Sequence, residues 1–151
     1  MVSIKKIAGE ILLYLYILQR QDIGKLKNAM LSFALWHLPE GKEGAQLDRR
    51  SETILGVSDF DAYTDNDLYN ALSYLYESAL IDFRDSRDSA GSHLINLKVT
   101  SHGIDMVEGI ERGPEEKRVF NTTFNFNITN DVTVESLLKA EFGSLIKASL
   151  L

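Results

Sequence analysis

The chain has 151 residues, 44% of them hydrophobic and 25% charged, and it contains no cysteine. Those values place it among globular domains and exclude collagen-like, low-complexity and disordered classes, disulfide frameworks, thiolate metal sites and cysteine nucleophiles. A net charge of -6 and an isoelectric point near 5.0 argue against a protein that coats nucleic acid by bulk electrostatics.

In chain order, Ile4, Ile7, Ile11, Tyr14, Leu15 and Leu18 recur at spacings of three and four, with further apolar residues between them. This predicts a helix over residues 4–20 that is buried around much of its circumference. Its apolar run, Ile11 to Leu18, is too short to cross a hydrocarbon layer that needs roughly 20 helical residues. Lys5 and Lys6 ahead of it imitate a signal peptide, but Gln19, Arg20, Gln21 and Asp22 follow in place of a small-residue cleavage site. The expectation is no membrane and, with no cysteine, a cytoplasmic location. Ile23, Leu26, Met30, Leu31, Ala34, Leu35 and Leu38 repeat the helical spacing, predicting a second helix over 23–38 that Pro39 ends. Residues 40–45 read as a flexible loop, and 49–55 as one or two helical turns closed by Gly56.

Thr64 is the expected N-cap of a third helix reaching about Leu80, with Leu68, Ala71, Leu72, Leu75 and Ala79 on one face. The period then changes to two. Ile81 and Phe83 alternate with Asp82 and Arg84, a polar loop covers 85–92, and Ile95, Leu97 and Val99 alternate again. That is a β-hairpin. Thr100 or Ser101 caps a short helix with Ile104, Val107 and Ile110, stopped at Gly113 and Pro114. Phe124 to Thr129 alternates apolar and polar residues and predicts a strand. Val134, Leu137, Leu138, Phe142, Leu145, Ile146 and Leu150 mark a final amphipathic helix.

Helix, hairpin, short helix resembles the back half of a winged helix-turn-helix. Leu72-Ser-Tyr-Leu75-Tyr-Glu-Ser-Ala79-Leu80-Ile81 is similar to a recognition helix running into its wing, which commonly reads leucine-x-x-leucine and closes on glycine-leucine-isoleucine. Leu97-Lys-Val-Thr100-Ser-His-Gly103 is similar to the second wing strand entering the next helix, commonly leucine-threonine-x-x-glycine. The chain departs from the pattern at Ala79, where glycine is usual, and in a long connection between the second and third helices. The implied fold is α+β and mostly helical: a winged-helix domain over 1–113, then a C-terminal strand and amphipathic helix over 119–151.

The resemblance implies binding to double-stranded DNA, with the third helix in the major groove and the wing along the backbone. Asn66, Tyr69, Asn70, Ser73 and Tyr76 would then touch bases or phosphates, although a solvated helix face would look the same. Arg84 and Arg87 of the wing, with Lys5, Lys6, Lys25 and Lys27, would hold phosphates. Charge opposes this reading. Residues 61–90 carry two arginines against seven carboxylates, net -5, whereas residues 1–30 carry five cations against two carboxylates, net +3. A transcriptional regulator acting as a dimer and an acidic adaptor binding a basic protein partner are therefore both expected. The tail is expected to supply the homodimer contact through Phe124, Phe126, Leu137, Leu138, Phe142, Leu145 and Ile146, the alternative being that its helix folds back on the first helix of its own chain. His37, His93 and His102 lack metal-ligand spacing, and no phosphate loop, dinucleotide fingerprint or nucleophile elbow occurs. No metal, no cofactor and no enzymatic activity are expected.

Overall fold

The computed structural model describes residues 3–21, 30–37, 43–47, 60, 62–89, 91–129 and 132–137. The first helix, α1 (Ile4–Gln21), forms as the periodicity predicts. Every residue from Ile7 to Leu18 is buried, so this helix is the axis of the core. Its one buried carboxylate, Glu10, accepts a hydrogen bond from the Tyr63 hydroxyl at 2.5 Å, which offsets the loss of hydration. Among the described residues no helix is long and apolar enough to cross a membrane.

The next element corrects the expected second helix. Met30–His37 is a strand, β1, and β2 (Glu43–Leu47) pairs with it antiparallel, over residues expected to open in a loop. Helical spacing and strand alternation coexist in this stretch, because Leu31, Phe33 and Leu35 also recur at two. The structure selects the second pattern. Leu31 and Phe33 are fully buried and Leu35 packs on the core, while Ala34 is exposed. On β2 the buried Ala45 and Leu47 flank the exposed Gln46 in the same way. The remainder of the expected second helix, 22–29, and the expected turns over 49–55 lie outside the described residues.

Helix α2 (Asp65–Glu77) starts where expected: Thr64 Oγ accepts from the Asp67 N–H at 3.1 Å. It buries Leu68, Ala71, Leu72 and Leu75. The hairpin follows as β3 (Ile81–Asp88) and β4 (Gly91–Val99), with strands that extend into the segment expected to be loop. Gly91 permits the tight return with φ of +136°, and a Cβ there would lie 2.0 Å from the Phe33 carbonyl oxygen. The sheet runs β2-β1-β4-β3, antiparallel throughout. Further along β4 the Gln19 amide takes the backbone of Val99, accepting from its N–H at 2.7 Å and donating to its carbonyl at 3.3 Å.

Helix α3 (Ser101–Glu108) continues as a 3₁₀ turn, Gly109–Glu111, and α4 (Pro114–Phe124) begins on the proline that was expected only to stop its predecessor. The expected strand over 124–129 does not form. Phe124 is the last residue of α4, Asn125 takes the left-handed conformation at φ +55°, and residues 126–129 run on without strand pairing. The Asn121 side chain occupies the backbone of Ile128 instead, accepting from its N–H at 2.9 Å and donating to its carbonyl at 3.1 Å. Phe120, Phe124, Phe126, Ile128, Val134 and Leu137 are buried in the same core as α1. Residues 134–137 form a helical turn where the final helix is expected, and residues 138–151 lie outside the described residues.

Candidate recognition surface

The junction of α2 with the hairpin is built from short-range bonds. The Ala79 N–H donates to the Tyr76 carbonyl and the Leu80 N–H to the Leu75 carbonyl, both at 3.0 Å, a Schellman ending with Leu75 and Leu80 buried. Thr100 locks this end to α3: its hydroxyl donates to the Ala79 carbonyl at 2.7 Å and accepts from the Gly103 N–H at 3.0 Å. Gly103 lies so close that a Cβ would sit 2.2 Å from the Leu80 carbonyl oxygen. The hairpin is thereby held at a fixed angle to α2.

Between them lies a groove of about 140 Å³. Helix α2 contributes Tyr69, Ser73 and Tyr76, and β3 contributes Phe83, Asp85 and Arg87. Tyr69 stands edge-on to Phe33 with centroids 5.0 Å apart, and its hydroxyl accepts from the Arg87 guanidinium at 3.1 Å. Ser73 donates to the Tyr69 carbonyl at 3.1 Å. The Tyr76 ring stacks on Phe83 at 4.5 Å and 29°, yet the residue stays 46% exposed. Four of the expected site residues, Tyr69, Ser73, Tyr76 and Arg87, therefore meet in one place. Asn66 and Asn70 are exposed on α2 but do not line the groove.

The other expected contacts do not join them. Lys6 places its ammonium 3.5 Å from the Phe126 ring centroid, Lys5 is exposed at the start of α1, and Lys25 and Lys27 lie outside the described residues. Phe124 is fully buried, Phe126 is 7% exposed and Leu137 8%. All three are buried against the core of their own chain. Leu138, Phe142, Leu145 and Ile146 lie outside the described residues.

Sequence reasoning missed four groove residues, Phe83, Asp85, Leu94 and Glu77. Phe83 was legible as an inward position of β3, and it alternates with Asp85 and Arg87 along the strand face that lines the groove. Charges on the hairpin are largely paired: Arg87 with Asp85 at 3.2 Å, Lys98 with Asp82 at 4.0 Å, and His93 with Asp88 at 3.0 Å. The buried Ser92 hydroxyl also donates to Asp85, at 2.6 Å. Arg84 is exposed and has no ion-pair partner among the described residues; the same holds for Glu77.

Two polar constellations lie elsewhere. Ser32 Oγ is 2.8 Å from His93 Nδ1, and His93 Nε2 is 3.0 Å from both Asp88 oxygens. Ser32 and His93 are direct register partners of β1 and β4, so strand pairing alone produces the contact. Tyr16 is buried, and its hydroxyl donates to Glu108 at 2.9 Å; burial first, and then the Glu108 carboxylate, raise its pKa above the ordinary 10.0. Among the described residues no group of three His, Asp or Glu side chains could hold a metal ion.

No family model, no curated protein and no solved structure matches this chain. The surface must be read from its own chemistry.

Proposed function

We propose that the chain is a winged-helix-type recognition module whose α2–hairpin surface binds a protein partner. The order of elements supports the winged-helix part: α2 passes through a three-residue ending into the hairpin, and the hairpin passes through Thr100 into α3. Charge supports a protein partner. Helix α2 carries Asp65, Asp67 and Glu77 and no lysine or arginine. On the hairpin Arg87 and Lys98 are each held by a carboxylate. Duplex DNA draws most of its non-specific affinity from phosphates neutralised by lysine and arginine, and this surface has little cation to offer.

Duplex DNA is the second reading, favoured by the exposed Arg84 on β3 and the exposed Asn66 and Asn70 on α2. A two-fold dimer belongs to the proposal through Leu138, Phe142, Leu145 and Ile146 alone. Titration of the full chain with a random duplex at about 50 mM salt separates the readings, because phosphate contacts are strongest there. No binding is expected. Micromolar binding that falls steeply with added salt would establish the DNA reading and overturn the protein one.

A further inference from the structure

We infer that the groove between α2 and β3 receives one arginine or lysine side chain from an extended segment of the partner. This inference rests on the protein-binding reading above and names what that partner must present. Size comes first. At about 140 Å³ the groove is well below the roughly 300 Å³ at which small-molecule pockets begin, but suits a single long side chain.

Charge selects which one. The groove holds the carboxylates of Glu77 and Asp85 against the guanidinium of Arg87, one negative charge in excess. Asp85 is occupied by Arg87 and by the Ser92 hydroxyl. Glu77 is exposed and has no ion-pair partner among the described residues, so it is the carboxylate that faces an incoming cation.

The rings point the same way. Phe83 covers one face of Tyr76, and that tyrosine is still 46% exposed, which leaves aromatic surface beside Glu77. A cation within about 6 Å of such a ring face is attracted by its quadrupole, arginine more often than lysine. Elsewhere on the groove Arg87 crosses from β3 and donates a hydrogen bond to the Tyr69 hydroxyl. The apolar rims of Tyr76, Phe83 and Leu94 favour apolar neighbours on either side of the partner's cation.

The test uses the full chain labelled with ¹⁵N and the tripeptide acetyl-Leu-Arg-Leu-amide. Its control replaces arginine by citrulline, which keeps the shape and removes the charge. The expected result is amide shifts confined to residues 69–87 and 94, with citrulline binding at least about five-fold more weakly. E77Q should weaken the arginine peptide roughly three-fold, as an exposed pair would, and leave the spectrum otherwise folded. Y76L, which keeps bulk and removes the ring face, should weaken it by a similar factor. Equal binding of both peptides, or an unchanged affinity in E77Q, overturns the inference. If neither peptide nor duplex shifts the groove, the groove inference fails while the protein reading keeps the rest of the surface. If duplex alone shifts it, both fail.

Discussion

Ala79 adopts a left-handed backbone, φ +61°, as the residue that turns the end of α2 into the hairpin. A non-glycine residue there costs about 1–2 kcal/mol, because its Cβ crowds the following carbonyl. Glycine is the residue that takes this conformation without strain. A79G should therefore raise the stability of the chain by about 0.5–1 kcal/mol, after the larger unfolded-state entropy of glycine is set against the strain released. Urea denaturation measures it, and a lower midpoint for A79G would contradict the left-handed assignment. Tyr16 supplies a pH test. Its folded pKa lies above 10.0, so below pH 10 both states hold the proton and its contribution is constant. Between that value and the higher folded value only the unfolded chain ionises, and stability falls by up to about 1.4 kcal/mol per pH unit. The native chain should thus lose stability faster than Y16F above pH 10, the other tyrosines being common to both. Parallel slopes would show that Glu108 and burial do not hold the Tyr16 proton.

Elements in this chain end, and edges close, on side-chain amides. Gln19 takes the backbone of Val99 on β4, and Asn121 takes the backbone of Ile128. In each case one carboxamide supplies the donor and acceptor that a neighbouring strand would have supplied, which satisfies backbone groups at the margin of the core. For Asn121 this explains why an alternating sequence stays unpaired. Its alternation reflects Phe124, Phe126 and Ile128 pointing into the core, and the chain needs no sheet for that. Removing the amide in N121A leaves both backbone groups of Ile128 without partners at a cost of about 1–3 kcal/mol. Hydrogen exchange at Ile128 should accelerate strongly, while amides in the middle of α1 keep their protection. Unchanged exchange at Ile128 would show that the clamp does not hold this segment. The β1 stretch teaches a related lesson. Its residues satisfy the periods 3.6 and 2 together, and Phe33, which a helix over 23–38 would have left off its apolar face, is the residue that distinguishes them.

Across the whole molecule the charges are separated. Residues 61–90, which supply α2 and β3, carry net -5, and residues 1–30 carry net +3. Lys6, one of those cations, is drawn to Phe126 and away from the recognition surface. If the surface bound duplex DNA, replacing Arg84 and Arg87 together would flatten the salt dependence by roughly one to two units. The protein reading expects no salt-dependent duplex binding to flatten, and the same titration with the double variant checks it. Phe120, Phe124, Phe126 and Ile128 close the core around α1 within one chain.

Sequence alone determined the features whose causes are local. The burial of α1 follows from apolar residues on all its sides, the start of α2 from Thr64, the hairpin from its alternation, and the start of α3 from Thr100 and Gly103. Tyr69, Ser73, Tyr76 and Arg87 were legible as candidates because the winged-helix resemblance implies a binding face on their helix and wing. Tertiary structure decided the rest. Whether Met30–His37 became helix or strand depended on pairing with β4, a hydrogen-bonding partner some sixty residues away along the chain. Whether Phe124 to Thr129 paired or packed depended on Asn121 and on the core above α1. Phe83 and Glu77 joined the groove only because the hairpin packs back against the end of α2. Distant partners have no period in the sequence, so their effect appears only when the chain is folded.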